Sequence, residues 1–451
     1  MRGSLPYALV RSLVRLLLAL FYRRVDVVGA ERIPATGPLI LAANHHNSVV
    51  DAMLLLAVVP RRLRTLAKAP LFRHPLVGPF LRLLGALPVH RRQEAGDDPA
   101  RNAALFAATT ATLRAGGAIL IFPEGRTQPE PVLLTLRTGA ARILLAAEAG
   151  SGPEGVVLLP VGLVFHEPGT FRTGRALVLV GSSVPTDDAR VLAAGGASEE
   201  AARLLTDRLT EALRQEIVEA DDRRTLRLLG IVEELWEEET GERPSDESDR
   251  VRWLQRAMRT WRAVLEGEPG RAASLRREIE AFALEMERAG LAASQLSYRY
   301  SPSVVASYAI REGLSLLLGA PLALLGIGVH VAPYQVTAVL VRLVDRTAEE
   351  EATDKIAAGL LVYPAAWAAE AWVVLHFGGR WALLVFLCAL LPLGFAALAW
   401  RERLESVGRE ARAFVRYLRD RDLPRRLETR RRELAGELRA LARAFPELWP
   451  E

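Results

Sequence analysis

Three long apolar segments near the C-terminus constrain the fold of this 451-residue chain most strongly. They are residues 313–331, 356–377 and 381–400, and Glu370 is the only Asp, Glu, Lys or Arg that they contain. A hydrocarbon core about 30 Å thick is crossed by about 20 helical residues. The second and third segments therefore predict two membrane-spanning helices, joined by a tight turn at residues 376–380.

The first apolar segment differs from the other two because it contains Gly319, Pro321, Gly326 and Gly328. Since these residues weaken a helix, we expect a broken, re-entrant or interfacial segment there. Two crossings would leave the preceding residues and the C-terminal tail on one side of the membrane. The tail carries 14 arginines against 10 acidic residues. The positive-inside preference therefore predicts that both lie in the cytoplasm.

A shorter apolar segment, residues 5–22, lies at the N-terminus and is interrupted by Arg11 and Arg15. Its uncharged part, residues 16–22, is too short to span a membrane. The two arginines are one helical turn apart and lie on the same face of a helix. The pattern predicts an interfacial amphipathic helix rather than a secretory signal peptide, since no small-residue cleavage site follows.

Short aliphatic segments alternate with helical patterns in the following part of the chain. Continuous apolar strands separated by helices predict an α/β domain. The four predicted strands are residues 39–43, 118–122, 156–164 and 176–180. From Ser198 onwards the sequence is rich in Arg and Glu, which predicts amphipathic helices with an apolar stripe at Leu205, Leu209, Leu213 and Ile217.

The predicted organisation has five parts. They are an interfacial helix (1–25), an α/β domain (26–190), a charged helical region (191–300), a membrane region with a re-entrant segment and two spans (301–400), and an Arg-rich cytoplasmic helical tail (401–451).

Composition excludes several functional classes. The one cysteine, Cys388, excludes an internal disulfide, a Cys-rich zinc site and a dithiol redox centre. The net charge of +5 does not predict nucleic-acid binding, because the arginines are balanced locally by acidic residues and form no patch interleaved with aromatic residues. The sequence contains no phosphate-binding P-loop, no nucleophile elbow and no HExxH zinc helix, so we predict no metal site.

The strongest chemical signal directly follows the predicted strand 39–43. The sequence there is Asn44-His45-His46-Asn47-Ser48-Val49-Val50-Asp51. Histidine can accept a proton near neutral pH, and a carboxylate can fix its tautomer. Ligand sites of open α/β sheets lie at the carboxyl ends of strands. Because residues five or six apart do not face each other on a helix, Asp51 can meet a histidine only if that histidine lies before the helix.

Three further blocks follow in the sequence: Gly85-Ala86-Leu87-Pro88-Val89-His90-Arg91; Phe122-Pro123-Glu124-Gly125-Arg126-Thr127, continued by Leu136 to Ala141; and Leu159-Pro160-Val161-Gly162. In this order and spacing, the four blocks resemble the glycerolipid acyltransferase family, whose enzymes acylate glycerol 3-phosphate and lysophosphatidic acid. The resemblance covers residues 26–184. The membrane segments and residues 331–334 resemble the longer branch that includes fungal-type glycerol-3-phosphate acyltransferases.

The resemblance implies an α/β acyltransferase domain with a central mixed sheet covered by helices. It implies O-acyl transfer in phospholipid synthesis, without a cofactor, from acyl-CoA or acyl carrier protein to glycerol 3-phosphate or 1-acylglycerol 3-phosphate. A histidine is the general base, and Asp51 orients it. The residues implied to bind the acceptor are Arg91, Glu124, Gly125 and Arg126. A catalytically degenerate fold that serves as a membrane lipid-binding scaffold is the alternative.

The identity of the base is open between two histidines. His46 has the usual family spacing to Asp51, with four residues between them, whereas His45 has five. His45 has the preceding asparagine of the family pattern, and the longer branch tolerates one extra residue. These features favour His45, and His46 is the alternative.

Overall fold

The computed structural model describes residues 5–22, 24–73, 77–89, 99–128, 130–149, 155–166, 175–242, 244–289, 302–343, 351–420 and 422–449. The chain divides into two compact units. The first comprises Met1–Arg223, Pro244–Gln255 and Arg346–Ala357, and the second comprises Arg224–Arg243, Arg256–Asp345 and Ala358–Glu451.

The first unit is built on a mixed seven-stranded sheet. Its strands are β1 (Arg24–Val28), β2 (Leu39–Ala43), β3 (Leu63–Lys68), β4 (Leu87–Val89), β5 (Ala118–Ile121), β6 (Val157–His166) and β7 (Arg175–Val180). Their order is β1-β7-β6-β2-β5-β3-β4, and only the β6–β7 pair is antiparallel. The predicted α/β class and mixed sheet are confirmed. All four predicted strands are present, whereas β1, β3 and β4 were not predicted.

Helices cover both faces of this sheet. They are α1 (Leu5–Phe21), α2 (Val49–Val58), α3 (Val77–Leu84), α4 (Pro99–Arg114), α5 (Gly139–Glu148), α6 (Asp187–Ala194) and α7 (Ser198–Gln215). Successive residues of a strand point to opposite faces. Leu39 and Leu41 of β2 therefore pack with α1 and α2, whereas Ile40 and Ala42 pack with α5 and α7. Helical cover on both faces explains why the central strands are continuously apolar.

The predicted apolar stripe on α7 is confirmed, because Leu205, Leu209, Leu213 and Ile217 are all buried in the core under the sheet. The stripe belongs to the unit that contains the sheet, not to a separate helical region. This compact unit includes the residues up to Arg223, and the predicted boundary at residue 190 stays a prediction.

Helix α1 is amphipathic, as predicted, and it is also part of the core. Val14 and Leu18 are buried under the sheet, whereas Leu9 on the opposite face is 63% exposed. Arg11 and Arg15 lie on one face, and both donate hydrogen bonds to the carbonyl oxygen of Ala57, at 3.3 and 3.0 Å. Cations there complement the negative end of the α2 dipole. The inner face of α1 is therefore part of the core, and its location at a membrane interface stays a prediction.

The second unit contains a helical bundle. Its apolar core is formed by α8 (Arg223–Thr240), the C-terminal half of α9 (Glu247–Gly267), α10 (Pro269–Ala289) and α13 (Leu423–Ala444). α13 lies within the predicted Arg-rich tail (401–451), and several of its arginines are paired within the bundle. Arg430 contacts Glu285 at 2.7 Å, and Arg439 contacts Glu239 at 2.6 Å. The C-terminal helix α13 is therefore held against α8 and α10.

Two further helices of the second unit, α11 (Pro302–Leu343) and α12 (Glu351–Arg419), contain the apolar segments. By length and composition, they are the two described helices that could cross a membrane. Gly379 interrupts α12 with a positive φ of 75°, inside the predicted turn. His330 of α11 accepts a hydrogen bond from Trp367 and also bonds to the carbonyl oxygen of Leu390. Since these partners lie on either side of Gly379, α12 folds back on itself as a hairpin.

The predicted break in the first apolar segment is wrong, since α11 continues through Pro321 and Pro333. Its glycines permit close helix packing instead. A Cβ atom at Gly326 would lie 2.2 Å from the carbonyl oxygen of Leu393, and one at Gly319 would lie 3.2 Å from the Trp400 ring. Small residues at such positions let helices approach closely. The number of membrane crossings stays a prediction.

Candidate active site

The candidate active site lies where two adjacent parallel strands end. β2 and β5 are paired in parallel, so the loops that follow them leave the same edge of the sheet. The loop after β2 carries the first sequence block, and the loop after β5 carries the third. Backbone hydrogen bonds join the two loops, since the Gln128 N–H donates to the carbonyl oxygen of His45 at 3.1 Å. The fold therefore brings together two blocks that are far apart in the sequence.

His45 and Asp51 form a hydrogen-bonded pair at the centre of this site. His45 Nδ1 lies 2.8 Å from Asp51 Oδ2, and the Asp51 side chain is fully buried. Asp51 is in the first turn of α2, where the helix dipole stabilises a carboxylate. Within the described part of the chain, no hydrogen bond is formed by His45 Nε2. A proton on Nδ1 held by Asp51 leaves Nε2 free to accept another.

The ring of His45 is held in place by its neighbours. It stacks on Phe122 with a centroid separation of 4.0 Å and an interplanar angle of 14°. Its side chain is 15% exposed, so the ring remains accessible at one edge. Stacking and the bond to Asp51 together fix the orientation of the imidazole, which a general base requires.

His46 faces a different partner. Its Nδ1 atom lies 3.1 Å from the carbonyl oxygen of Gln128, and burial lowers the pKa of His46. The structure therefore pairs Asp51 with His45 and not with His46. The assignment of either residue as the base stays a prediction.

A tight turn makes the pairing with Asp51 possible. The Val50 N–H donates to the carbonyl oxygen of Asn47 at 3.1 Å, which closes a turn around Ser48. Ser48 has φ 49° and ψ −124°, a conformation that is strained for a residue with a side chain. This turn returns the chain so that Asp51, six residues after His45, reaches the imidazole. The predicted placement of the histidine in the loop before the helix is confirmed.

Asparagines on either side of the two histidines hold the loop of the first block in place. Asn44 is fully buried, and its amide both donates to and accepts from the backbone of Leu163 on β6, at 2.9 and 2.7 Å. The Asn47 side chain donates to the hydroxyl of Tyr22 at 3.0 Å. Sequence reasoning did not find Tyr22, because it lies outside the four blocks and has no motif of its own.

Glu124 was predicted to bind the acceptor, which stays a prediction, and in the structure it is buried against backbone. The side chain is 3% exposed. Its Oε1 atom accepts a hydrogen bond from the His45 N–H at 2.8 Å, and Oε2 accepts one from the Leu134 N–H at 3.1 Å. Both carboxylate oxygens are therefore used to hold backbone in place. Glu124 positions His45 instead of contacting solvent.

The other predicted acceptor-binding residues are Gly125, Arg126 and Arg91, and the structure describes two of them. Gly125 has φ 72°, and a Cβ atom there would lie 2.8 Å from Arg137 Nε, so glycine is required for this turn. Arg126 is exposed, and no ion pair of its side chain is found in the described ranges. Arg91 lies outside the described residues. The same ranges contain no cluster of three or more His, Cys, Asp or Glu that could hold a metal ion.

Burial raises the pKa of Glu124 from 4.5 to about 7, which gives stability a measurable pH dependence. Between these values the folded state binds more protons than the unfolded chain. The free energy of unfolding should therefore fall by about 3 kcal/mol as pH rises from about 4.5 to about 7, and this component should be constant above that range. Denaturant titrations at several pH values give the free energy of unfolding of wild type and of Glu124→Gln. The difference between the two free energies is the component due to Glu124.

The control for this experiment is Glu199→Gln on α7, whose carboxylate is 69% exposed. It should keep the wild-type pH profile. An unchanged pH profile in Glu124→Gln would contradict the assignment of this component to Glu124.

Comparison with known proteins bears on the part of the chain that contains the four sequence blocks. Residues 24–164 match the family model described as Acyltransferase. Residues 24–164 are an acyltransferase domain of the glycerolipid acyltransferase family. The domain contains all four sequence blocks, together with β1 to β6 up to residue 164. The family relationship that the blocks indicated is therefore confirmed.

Two curated proteins are similar to this chain in sequence. An uncharacterized acyltransferase of Schizosaccharomyces pombe is 24% identical over 322 residues, which cover 52% of this chain and 47% of that protein. The 1-acyl-sn-glycerol-3-phosphate acyltransferase of Bacillus subtilis is 28% identical over 201 residues, covering 44% of this chain and 89% of that protein. The chain thus spans about half the length of the first relative and most of the second.

A solved structure is also similar to part of this chain. The crystal structure of the 1-acyl-sn-glycerophosphate acyltransferase of Thermotoga maritima matches with a TM-score of 0.34 and 22% identity. The match covers 47% of this chain and 78% of that one.

Proposed function

We propose that the chain is a membrane-bound O-acyltransferase of phospholipid synthesis. It transfers a fatty acyl group from acyl-CoA or acyl carrier protein to a hydroxyl of glycerol 3-phosphate or 1-acylglycerol 3-phosphate. The observation that carries this proposal is the hydrogen bond between His45 and the fully buried Asp51, in the first block of an acyltransferase domain. A pair of this kind supplies an oriented base near neutral pH.

The chemistry follows from the pair. His45 Nε2 removes the proton of the acceptor hydroxyl as its oxygen attacks the thioester carbonyl carbon. The tetrahedral intermediate then collapses, the C–S bond breaks, and the protonated His45 returns the proton to the departing thiolate. Asp51 stabilises the imidazolium that exists between these steps, as the carboxylate of a catalytic triad does. The products are an ester and a free thiol, and no acyl-enzyme is formed.

The acceptor carries a phosphate, for which this site offers arginine. Arg126 is exposed and follows Gly125 in the loop that contacts His45. A guanidinium group can bind phosphate oxygens in a bidentate manner. We assign phosphate binding to Arg126 together with Arg91 of the second block. Gly125 contributes by allowing the tight turn that precedes Arg126.

The membrane assignment rests on α11 and α12, whose large apolar side chains are exposed, including Phe377 at 81% and Trp381 at 79%. An apolar exposed surface of this extent needs a lipid or protein partner. Because α13 and α10 pack in one apolar core, the residues before α11 and after α12 are on the same side of the membrane. An even number of complete crossings would satisfy this, and the Arg-rich α13 supports a cytoplasmic location for that side.

An acceptor and donor panel tests this function. The full chain, reconstituted into phospholipid vesicles, is incubated with labelled acyl-CoA or acyl carrier protein and with each of the two acceptors. We expect lysophosphatidate from glycerol 3-phosphate or phosphatidate from its monoacyl form, with release of one thiol per ester. Lipid binding without product from any pair would instead support the scaffold alternative and contradict the proposal.

A further inference from the structure

We infer that Tyr22, the residue after α1, is a positioning residue for the His45–Asp51 pair and acts through Asn47. This inference rests on the proposed function for its kinetic consequence. It assigns part of the catalytic network to the N-terminal helix, which lies outside the four sequence blocks.

The hydroxyl of Tyr22 is buried and is hydrogen-bonded to the Asn47 side chain. The residue is 2% exposed, and its hydroxyl accepts the hydrogen bond from Asn47 Nδ2 at 3.0 Å. Its ring packs edge-on against Phe21 at 5.1 Å and lies 6.1 Å from the Phe165 ring. Burial, with a further contribution from Asp51, raises the pKa of the Tyr22 hydroxyl, which therefore stays protonated. A neutral hydroxyl on a packed ring is a fixed acceptor.

Asn47 connects this hydroxyl to the catalytic pair. Its backbone N–H donates to Asp51 Oδ2 at 2.8 Å, and the same oxygen accepts the hydrogen bond from His45. Its side chain is held by Tyr22 at the other end. One residue thus links the fixed tyrosine to the oxygen that orients the imidazole.

The backbone next to Asn47 needs such support. Ser48 is in a strained conformation, and strained residues persist only where their surroundings hold them. Asn47 is 2% exposed, so without the tyrosine hydroxyl one of its side-chain N–H groups would lose its partner in a buried place. A buried donor without a partner is costly, and the loop can relieve that cost by shifting. Small displacements of a catalytic group lower the rate strongly.

The helix that carries Tyr22 also presents apolar side chains to its surroundings. Leu9, Leu13 and Leu16 on its outer face are exposed, whereas Val14 and Leu18 are buried under the sheet. The element proposed to lie at the membrane interface therefore ends in a residue of the catalytic network. Its loss would affect the chemistry as well as membrane attachment.

The test compares Tyr22→Phe with Tyr7→Phe. Both tyrosines are buried residues of the same N-terminal segment, and Tyr7 also accepts a hydrogen bond, from the Leu63 N–H at 3.2 Å. Each substitution removes one hydroxyl and keeps the ring, but only Tyr22 is connected to Asp51. We expect Tyr22→Phe to lower kcat by about tenfold or more with little change in KM, and Tyr7→Phe to retain kcat within about twofold.

A double-mutant cycle of Tyr22→Phe and Asn47→Ala tests whether Tyr22 acts through Asn47. If Tyr22 acts through Asn47, adding Tyr22→Phe to Asn47→Ala should not slow the enzyme further. Equal kcat values for Tyr22→Phe and Tyr7→Phe would overturn the inference, as would a second full loss in the double variant.

A readout that does not need activity separates this inference from the proposed function. The rate at which diethyl pyrocarbonate modifies His45, followed by peptide mass spectrometry, reports how firmly the imidazole is held. We expect a several-fold faster modification in Tyr22→Phe and no change in Tyr7→Phe. Equal rates in the two variants would refute the positioning role even if the wild type made no ester, whereas an inactive wild type alone would refute only the function.

Discussion

Replacing His45 by Ala is expected to lower kcat for acyl transfer by about 10²- to 10⁴-fold, the usual contribution of a general base. His45 Nδ1 is bonded to the buried Asp51, so its Nε2 is the free nitrogen of the pair. The variant should still bind acceptor and donor, because the base contributes mainly in the transition state. Initial rates over a range of concentrations of both substrates measure the change in kcat separately from the change in KM.

His46→Ala is the matched control, because His46 is the adjacent residue in the same loop. It contacts the carbonyl oxygen of Gln128 and not Asp51, so its loss should lower kcat by less than about tenfold. Full activity of His45→Ala, or a larger loss in His46→Ala, would show that the base has been assigned to the wrong histidine.

The second large effect concerns stability, at Gly162 in the fourth block. A Cβ atom at this position would lie 1.8 Å from the carbonyl oxygen of Glu216 and 2.6 Å from its carbonyl carbon. Because these are backbone atoms at the end of α7, neither side can move without displacing a helix or a strand. Gly162→Ala should therefore lower the free energy of unfolding by about 3 kcal/mol or more. Denaturant unfolding of the full chain measures this loss of free energy of unfolding.

Gly139→Ala provides the control in the continuation of the third block. Gly139 begins α5, and among the described residues no atom outside its chain neighbours and its own helix backbone lies within 4 Å of a Cβ at this position. Alanine favours a helix over glycine by about 1 kcal/mol, so this variant should be unchanged or slightly more stable. A Gly162→Ala variant as stable as Gly139→Ala would contradict the close approach of Glu216 to β6.

Continuous apolar segments were enough to predict the central strands. β2, β5, β6 and β7 are apolar on both faces because helices cover both faces, so they stand out from the sequence. β1, β3 and β4 were missed for different reasons: β1 and β3 contain charged residues at exposed or half-buried positions, and β4 has three residues. Their pairing in the sheet, not their composition, makes them strands.

The sequence blocks that form the site could be predicted, but the contacts between their side chains could not. The choice between His45 and His46 depends on the turn at Ser48, whose conformation a sequence pattern does not specify. Glu124 was assigned to the acceptor because its block binds acceptor in the family, whereas its carboxylate is buried against the His45 backbone. The contact between Tyr22 and Asn47 joins residues 25 positions apart and leaves no periodic signal.

The membrane region shows the opposite error, in which a local rule was applied without its tertiary context. Glycine and proline weaken an isolated helix, and on that basis this segment was predicted to be broken, re-entrant or interfacial. The helix α11 is unbroken, and Gly319 and Gly326 lie where the second half of α12 approaches closely. Packing between helices therefore decides the conformation of this segment.

A double-mutant cycle on His45 and Asp51 tests the central claim most directly. The two side chains share one hydrogen bond, so they should act as a unit in catalysis. We expect Asp51→Asn alone to lower kcat by about 10²- to 10⁴-fold, and the double variant with His45→Ala to be no slower than His45→Ala. Losses that multiply in the double variant, or a wild-type rate in Asp51→Asn, would contradict the claim that this pair performs the acyl transfer.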